Sequence, residues 1–286
     1  MLTLIFALLQ VLPLAAPPSY VPERVFDTRQ RAFSDFEAML ADLARADAVL
    51  VGEQHDDPNT HRLELAIVDG LTRRGVPVIV SLEMFERDVQ PALDRYMAGE
   101  IGEPQFLEES RPWPRYATDY RPLVEFARAR RLRVIAANVP RRIAADVSKT
   151  GLTAVDALGA DRPLAAAALT CPPSGSYFDR FTAAMGGHQG ATANFYYAQC
   201  IKDETMGEAI ASTFDKTIGR ITIVHVNGAF HSDFGEGTAD SARRRMPGRR
   251  IAVVSVLPVP DLDALTPAGD DLKRADYLIF TVAKAK

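Results

Sequence analysis

Apolar residues fall in two rhythms along this chain. Short runs rich in β-branched residues, without polar alternation, recur at 48–51, 76–82, 133–137, 220–226, 251–257 and 277–282. Runs of that length and make-up predict strands covered on both faces. Between them, residues 33–45, 58–74, 86–98, 119–131 and 189–213 carry helical spacing. In 119–131, for example, Leu123, Phe126, Ala127 and Arg130 share a helical spacing, and Pro122 suits a first turn. Strands alternating with helices predict an α/β fold, a three-layer α/β/α arrangement around a mainly parallel sheet. Residues 140–215 break the rhythm with helices and no strand, which predicts a helical insertion or cap over the sheet.

Composition narrows the class only a little. Of 286 residues, 47% are hydrophobic and 24% charged, ordinary globular values. With 33 basic against 37 acidic residues the net charge is -4, which gives no footprint for nucleic acid. Residues 1–16 contain no charged side chain and are too short to span a bilayer, which takes roughly 20 residues. They read as a signal peptide with Ala15-Ala16 near the cleavage point, although no Lys or Arg precedes them; a buried first strand or an uncleaved interfacial anchor is the alternative. Residues 17–286 then form a single domain, with no transmembrane span. Cys171 and Cys200 pair if the protein is exported to an oxidising compartment, and otherwise are buried thiols.

The chemistry lies at the ends of the apolar runs. In open α/β sheets ligands bind beyond the carboxyl ends of the strands. The first run ends in Gly52-Glu53-Gln54-His55-Asp56-Asp57 and the second in Glu83. The third ends in Asn138 and the fourth in Asn227-Gly228-Ala229-Phe230-His231. Four strands therefore deliver carboxylate, imidazole or amide groups to one edge. Asp56 and Asp57 before Pro58 read as helix caps, His61 as a surface residue, His188 as a loop residue and His225 as a core residue. His55 and His231 differ, because each comes just after a strand in a glycine-containing loop where sites are built. Glu83 is costly to bury unless a metal ion, an arginine or catalytic work compensates it. Glu53, His55, Glu83 and His231 suit a divalent metal, and equally suit acid–base catalysis without one. No H-E-x-x-H, G-x-S-x-G, P-loop or G-x-G-x-x-G motif decides between them.

From GEQHDDPNTH onward, with EMFERD some thirty residues later, the chain resembles the ChaN-like haem-binding proteins of the wider Tiki/ChaN and erythromycin-esterase-like superfamily. The likeness continues through Gln90 to Tyr96, Trp113, Tyr120 to Ala127 and Ala136 to Pro140. It runs on through Ala198-Gln199, Asp203, Met206 and the 227–231 loop, covering about 25–260. It implies an exported, periplasmic or secreted haem-binding protein active in iron uptake; no lipidation cysteine is present here. It also implies tyrosine ligation of haem across a homodimer. Tyr177 and Tyr196 in the insertion are candidate haem contacts, with His55, Asn138 and Asn227 at the strand ends. Tiki-type relatives imply instead a metal-dependent hydrolase, in which His55, Glu83 and His231 hold the ion and Glu53 serves as base. Haem binding and metal-dependent hydrolysis are thus the two functions to separate.

Overall fold

The computed structural model describes residues 21–186 and 189–283. The proposed leader, 1–16, and His188 lie outside the described residues. Eight strands form one sheet: β1 (Glu23–Asp27), β2 (Ala32–Ser34), β3 (Ala48–Glu53), β4 (Val78–Glu86), β5 (Arg133–Asn138), β6 (Thr222–Gly228), β7 (Ile251–Val259) and β8 (Tyr277–Val282). Their order is β2-β1-β8-β7-β3-β6-β4-β5. The six predicted strands are β3 to β8, and the pairings among them are all parallel. The apolar pattern does not reveal β1 and β2, which add to β8 as an antiparallel edge. Phe33 and Ala32 of β2 are exposed, so that strand carries no two-sided apolar run to read.

Ten helices are described: α1 (Phe36–Leu43), α2 (Pro58–Arg73), α3 (Gln90–Ala98), α4 (Glu103–Ser110), α5 (Arg121–Ala129), α6 (Arg141–Thr150), α7 (Ser176–Ala184), α8 (Gln189–Asp215), α9 (Thr238–Arg245) and α10 (Asp271–Arg274). The two-residue period of the strands sorts the core into layers. Val49 and Val51 of β3 pack with Leu40 of α1 and Leu63, Ile67 and Leu71 of α2. Ala48 and Leu50 pack on the other side with Met206 and Ile210 of α8 and Ala242 of α9. Truncating fully buried Leu50 to alanine is therefore expected to cost about 2–5 kcal/mol.

No strand interrupts residues 141–215 among the described residues, as predicted. The insertion nevertheless does more than cap the sheet. The first half of α8 packs on α6 through Ala198, Ile201, Ile143 and Val147. Its second half supplies the second helical layer itself. Cys171 and Cys200 are joined as a disulfide with Cα atoms 5.8 Å apart, which ties the loop before α7 to α8.

Candidate functional site

A cleft opens beyond the carboxyl ends of β3, β4, β5 and β6, at the edge where the sequence predicts the strand-end groups to meet. It has a volume of about 560 Å³, and Glu53, His55, Glu83, Asn138 and His231 all line it, with Trp113. Local backbone features bring them there. β4 bulges between Leu82 and Glu86 against β5. The adjacent Met84 and Phe85 consequently both enter the same core layer. Gly52 lets β3 approach the next loop, since a Cβ there would lie 3.0 Å from the Ala229 Cα. A Cβ on Gly228 would lie 2.8 Å from the His55 ring, so only glycine leaves the imidazole its place.

Two imidazoles face the cleft on carboxylate supports. His55 donates from Nδ1 to Glu53 Oε1 at 2.5 Å, and Tyr120 Oη donates to the same oxygen at 2.8 Å. The His55 side chain remains 49% exposed, edge-on to Trp113 with ring centroids 5.1 Å apart. His231 is buried and donates from Nδ1 to Asp203 Oδ1 at 2.7 Å. Its Nε2 lies 3.3 Å from Glu83 Oε1, while Glu83 Oε2 accepts the Gly228 N–H at 2.7 Å. In both arms a carboxylate engages Nδ1, as the outer partners of metal-bound histidines do; His55 Nε2 lies beside Gly228, and His231 Nε2 faces Glu83 and Gln199.

Charge is set by these contacts. Burial alone would lower the pKa of His231, but Glu83 and Asp203 override it and raise it to about 10. Burial likewise opposes charge on Glu83, yet His231, His55 and the Gly228 N–H hold it well below the usual carboxylate range. His55 is raised in the same way, with Glu53 and then Glu83 outweighing burial. His225, hydrogen-bonded to Ser81 Oγ at 2.9 Å, is the opposite case: burial drives it down to about 3 and leaves it neutral. It is a core residue, as its position inside a strand predicts.

Other candidates fall elsewhere. Asn138 Nδ2 donates to the Glu83 carbonyl at 3.1 Å, so it braces the bulge from the cleft wall. Asn227 is fully buried and donates to the Gly228 carbonyl at 2.8 Å, beneath the cleft rather than on its surface. Tyr177 and Tyr196 line a neighbouring hollow instead. Tyr177 Oη donates to Asp203 Oδ2 at 2.6 Å, and burial together with Asp203 keeps that phenol protonated. Tyr196 is buried among Phe178, Tyr177 and Phe181. Asp57 caps α2 as expected, accepting the Asn59 N–H and the Thr60 hydroxyl. The reading of His61 as a surface residue is corrected: it is 5% exposed, on the inner face of α2.

Residues 39–241 match the family described as haem-binding uptake, Tiki superfamily, ChaN. This chain belongs to that family. A solved structure of ChaN from Campylobacter jejuni with cofacial haem is similar in fold, with a TM-score of 0.68 at 17% identity over 91% of this chain and 96% of that one. A Bacillus cereus protein gives a TM-score of 0.50 at 12% identity, covering 86% of this chain and 90% of its own. The chloroplastic protein RETICULATA-RELATED 5 of Arabidopsis thaliana is 26% identical over 266 residues, 85% of this chain. The chain spans about a third (35%) of the length of that curated relative.

In this ChaN-family chain the residues that sequence reasoning misses are those that act through others. Asp203 fits the family pattern, yet only the fold reveals its role, which is to orient His231 from one helix away. Tyr120 and His61 support Glu53 from a wide helical turn (Tyr116–Tyr120) and from α2. Only the i, i+3 spacing of His61 and Glu64 on one helix is visible locally as a signal.

Proposed function

We propose that this chain is a haem-binding protein that takes haem into the cleft beside His55, serving haem or iron uptake after export. The observation that carries the reading is His55 itself: half-exposed at the cleft, edge-on to Trp113, and anchored through Nδ1 to Glu53, which leaves Nε2, beside Gly228, as the nitrogen available to an iron. Haem supplies an iron that accepts an axial imidazole and a broad apolar face. Trp113, Val139, Ala229 and Phe230 offer that face a wall, and Arg141 and Lys202 bring positive charge for its carboxylates. Tyr177 and Tyr196 stand outside the proposed contacts because neither lines the cleft. The Cys171–Cys200 disulfide supports export, since such bonds persist in oxidising compartments. A periplasmic or secreted location and a homodimer belong to the same proposal.

The second reading, a metal-dependent hydrolase, is favoured by the Glu83–His231–Asp203 line. Its donor types suit a divalent ion: two imidazoles, each backed by a carboxylate, with Glu83 between them and 3.3 Å from His231 Nε2. Such an ion supplies an acidified water when bound. His55, Glu83 and His231 would hold it, while Glu53 and Asp203 fix the two rings.

Haemin titration of the purified protein separates the two. A saturable Soret shift that is lost in His55→Ala is expected. No saturable shift, with a divalent ion in the protein as purified that is lost in His231→Ala, overturns the haem reading in favour of the hydrolase.

A further inference from the structure

On the core side of Glu53 lies a second polar group that neither haem binding nor hydrolysis in the cleft requires. Glu53, His61 and Glu64 are 2%, 5% and 0% exposed. Glu53 comes from the end of β3, while His61 and Glu64 stand one turn apart on the inner face of α2. Two of their carboxylate oxygens, Glu53 Oε2 and Glu64 Oε1, have no hydrogen-bond partner although both are buried. An unsatisfied buried carboxylate oxygen is costly, and two in one group call for compensation by a shared proton or a cation.

The orientation of His61 points the same way. Its Nε2 lies 3.2 Å from the His55 carbonyl oxygen, which accepts only, and 3.4 Å from Asp119 Oδ2. The ring therefore keeps a hydrogen on Nε2, and when an ion takes the place of the Nδ1 proton that Glu53 and Glu64 otherwise hold there, the Nδ1 lone pair turns inward. That lone pair faces two carboxylates, Glu64 Oε2 at 3.4 Å and Glu53 Oε2 at 3.5 Å. These separations are long for direct hydrogen bonds, which centre near 2.9 Å. They match the roughly 3.3–3.6 Å edge of a tetrahedron whose ligands sit about 2.0–2.2 Å from a central zinc-like ion. One candidate ligand atom from each residue lies within 4.8 Å of the others.

We propose that Glu53, His61 and Glu64 form a buried divalent-cation site beneath the cleft, suited to zinc or a similar borderline ion. Glu53 then joins two layers. Its Oε1 holds His55 and Tyr120 at the cleft, and its Oε2 ligates the ion below, so metal binding would stiffen the His55 support. Asp119 and the His55 carbonyl orient the ligand ring, as outer partners of metal-bound histidines do.

The test removes the cleft imidazoles first. The full chain carrying His55→Ala and His231→Ala is loaded with Zn²⁺, dialysed and assayed for metal by mass spectrometry, beside the same protein with Glu64→Gln added. About one ion per chain in the first and under about a tenth in the second is expected, with cooperative thermal unfolding showing that each is folded. A folded first protein that retains no ion, or equal retention in both, overturns the site. If the Glu64→Gln protein does not fold, X-ray absorption of zinc in the first protein decides. One imidazole nitrogen among oxygens at about 2.0–2.2 Å is expected, and a shell without nitrogen overturns the proposal.

Discussion

The two ends of the parallel strands handle charge in opposite ways. At the amino ends, Asp42 accepts from Arg29 at 2.8 Å and from Tyr277 Oη at 3.0 Å, and also pairs with Arg250. Asp47 accepts the Arg250 backbone N–H at 2.7 Å. Permanent guanidinium charges thus face the carboxylates there, whatever the pH. At the carboxyl ends Asp233 also pairs with Arg274, but Glu53, Glu64, Glu83 and Asp203 face imidazoles, which are charged only when protonated. An end closed by arginine is built for stability. An end closed by histidine keeps its charge balance open to a proton, an ion or a ligand, which is what a binding site needs.

The largest effect is expected from Asp203→Ala. It strips His231 of its Nδ1 partner and leaves the Tyr177 and Thr238 hydroxyls without their acceptor. Breaking a buried pair on one side costs about 3–5 kcal/mol, to be read from urea unfolding. A loss below about 1 kcal/mol would mean that the His231 arm is no more than a surface contact. Gly228→Ala should cost about 1–3 kcal/mol through overpacking against His55. Because it displaces that ring, it should also weaken haemin binding about tenfold or more, equivalent to roughly 1.4 kcal/mol.

Asp42→Asn tests the other end. Charge-assisted hydrogen bonds to a half-exposed arginine are worth about 1–2 kcal/mol near pH 6. Burial opposes the Asp42 charge, but Arg29, Arg250 and Tyr277 together lower its pKa to about 2. A depressed carboxylate contributes fully above its unfolded value, near 3.9, and loses that contribution as pH falls through the folded value. The stability gap between wild type and Asp42→Asn should accordingly narrow from about pH 4 down to pH 2. A gap that stays constant over this range would show that the arginine cluster does not depend on the Asp42 charge. The smallest change in stability, about 1 kcal/mol, is expected from His55→Ala, because the ring is half-exposed and Tyr120 still donates to the Glu53 oxygen that it leaves. Its haemin affinity should nonetheless fall about tenfold or more, so that binding and stability separate at this residue.

Much of the site is legible in the sequence because it is local to the strand ends. An apolar run succeeded at once by Glu53 and His55, or by Asn227 to His231, places those groups at one edge wherever the strands are parallel. Burial of Glu83 can be read from the unbroken apolar run before it. Supporting residues are hidden for a different reason. Asp203 reaches His231 across 28 residues of sequence, and only the packing of α8 on the sheet sets that contact. His61 looks like a surface residue because Arg62 and Asn59 around it are polar. Its inward face depends on where α2 docks on β3 and on the wide turn that carries Asp119 and Tyr120.

Periodicity and composition alone therefore determined the α/β class, the six parallel strands, the strandless insertion and the four cleft groups Glu53, His55, Glu83 and His231. These are consequences of which residues must leave water, and each stretch of chain carries that information itself. Tertiary structure alone decided the antiparallel β1–β2 edge, the pairing of Cys171 with Cys200, and the placing of Asp203 behind His231. It also decided the meeting of Glu53 with His61 and Glu64. Those depend on distances between segments far apart in the chain, which are fixed only when helices and sheet pack together.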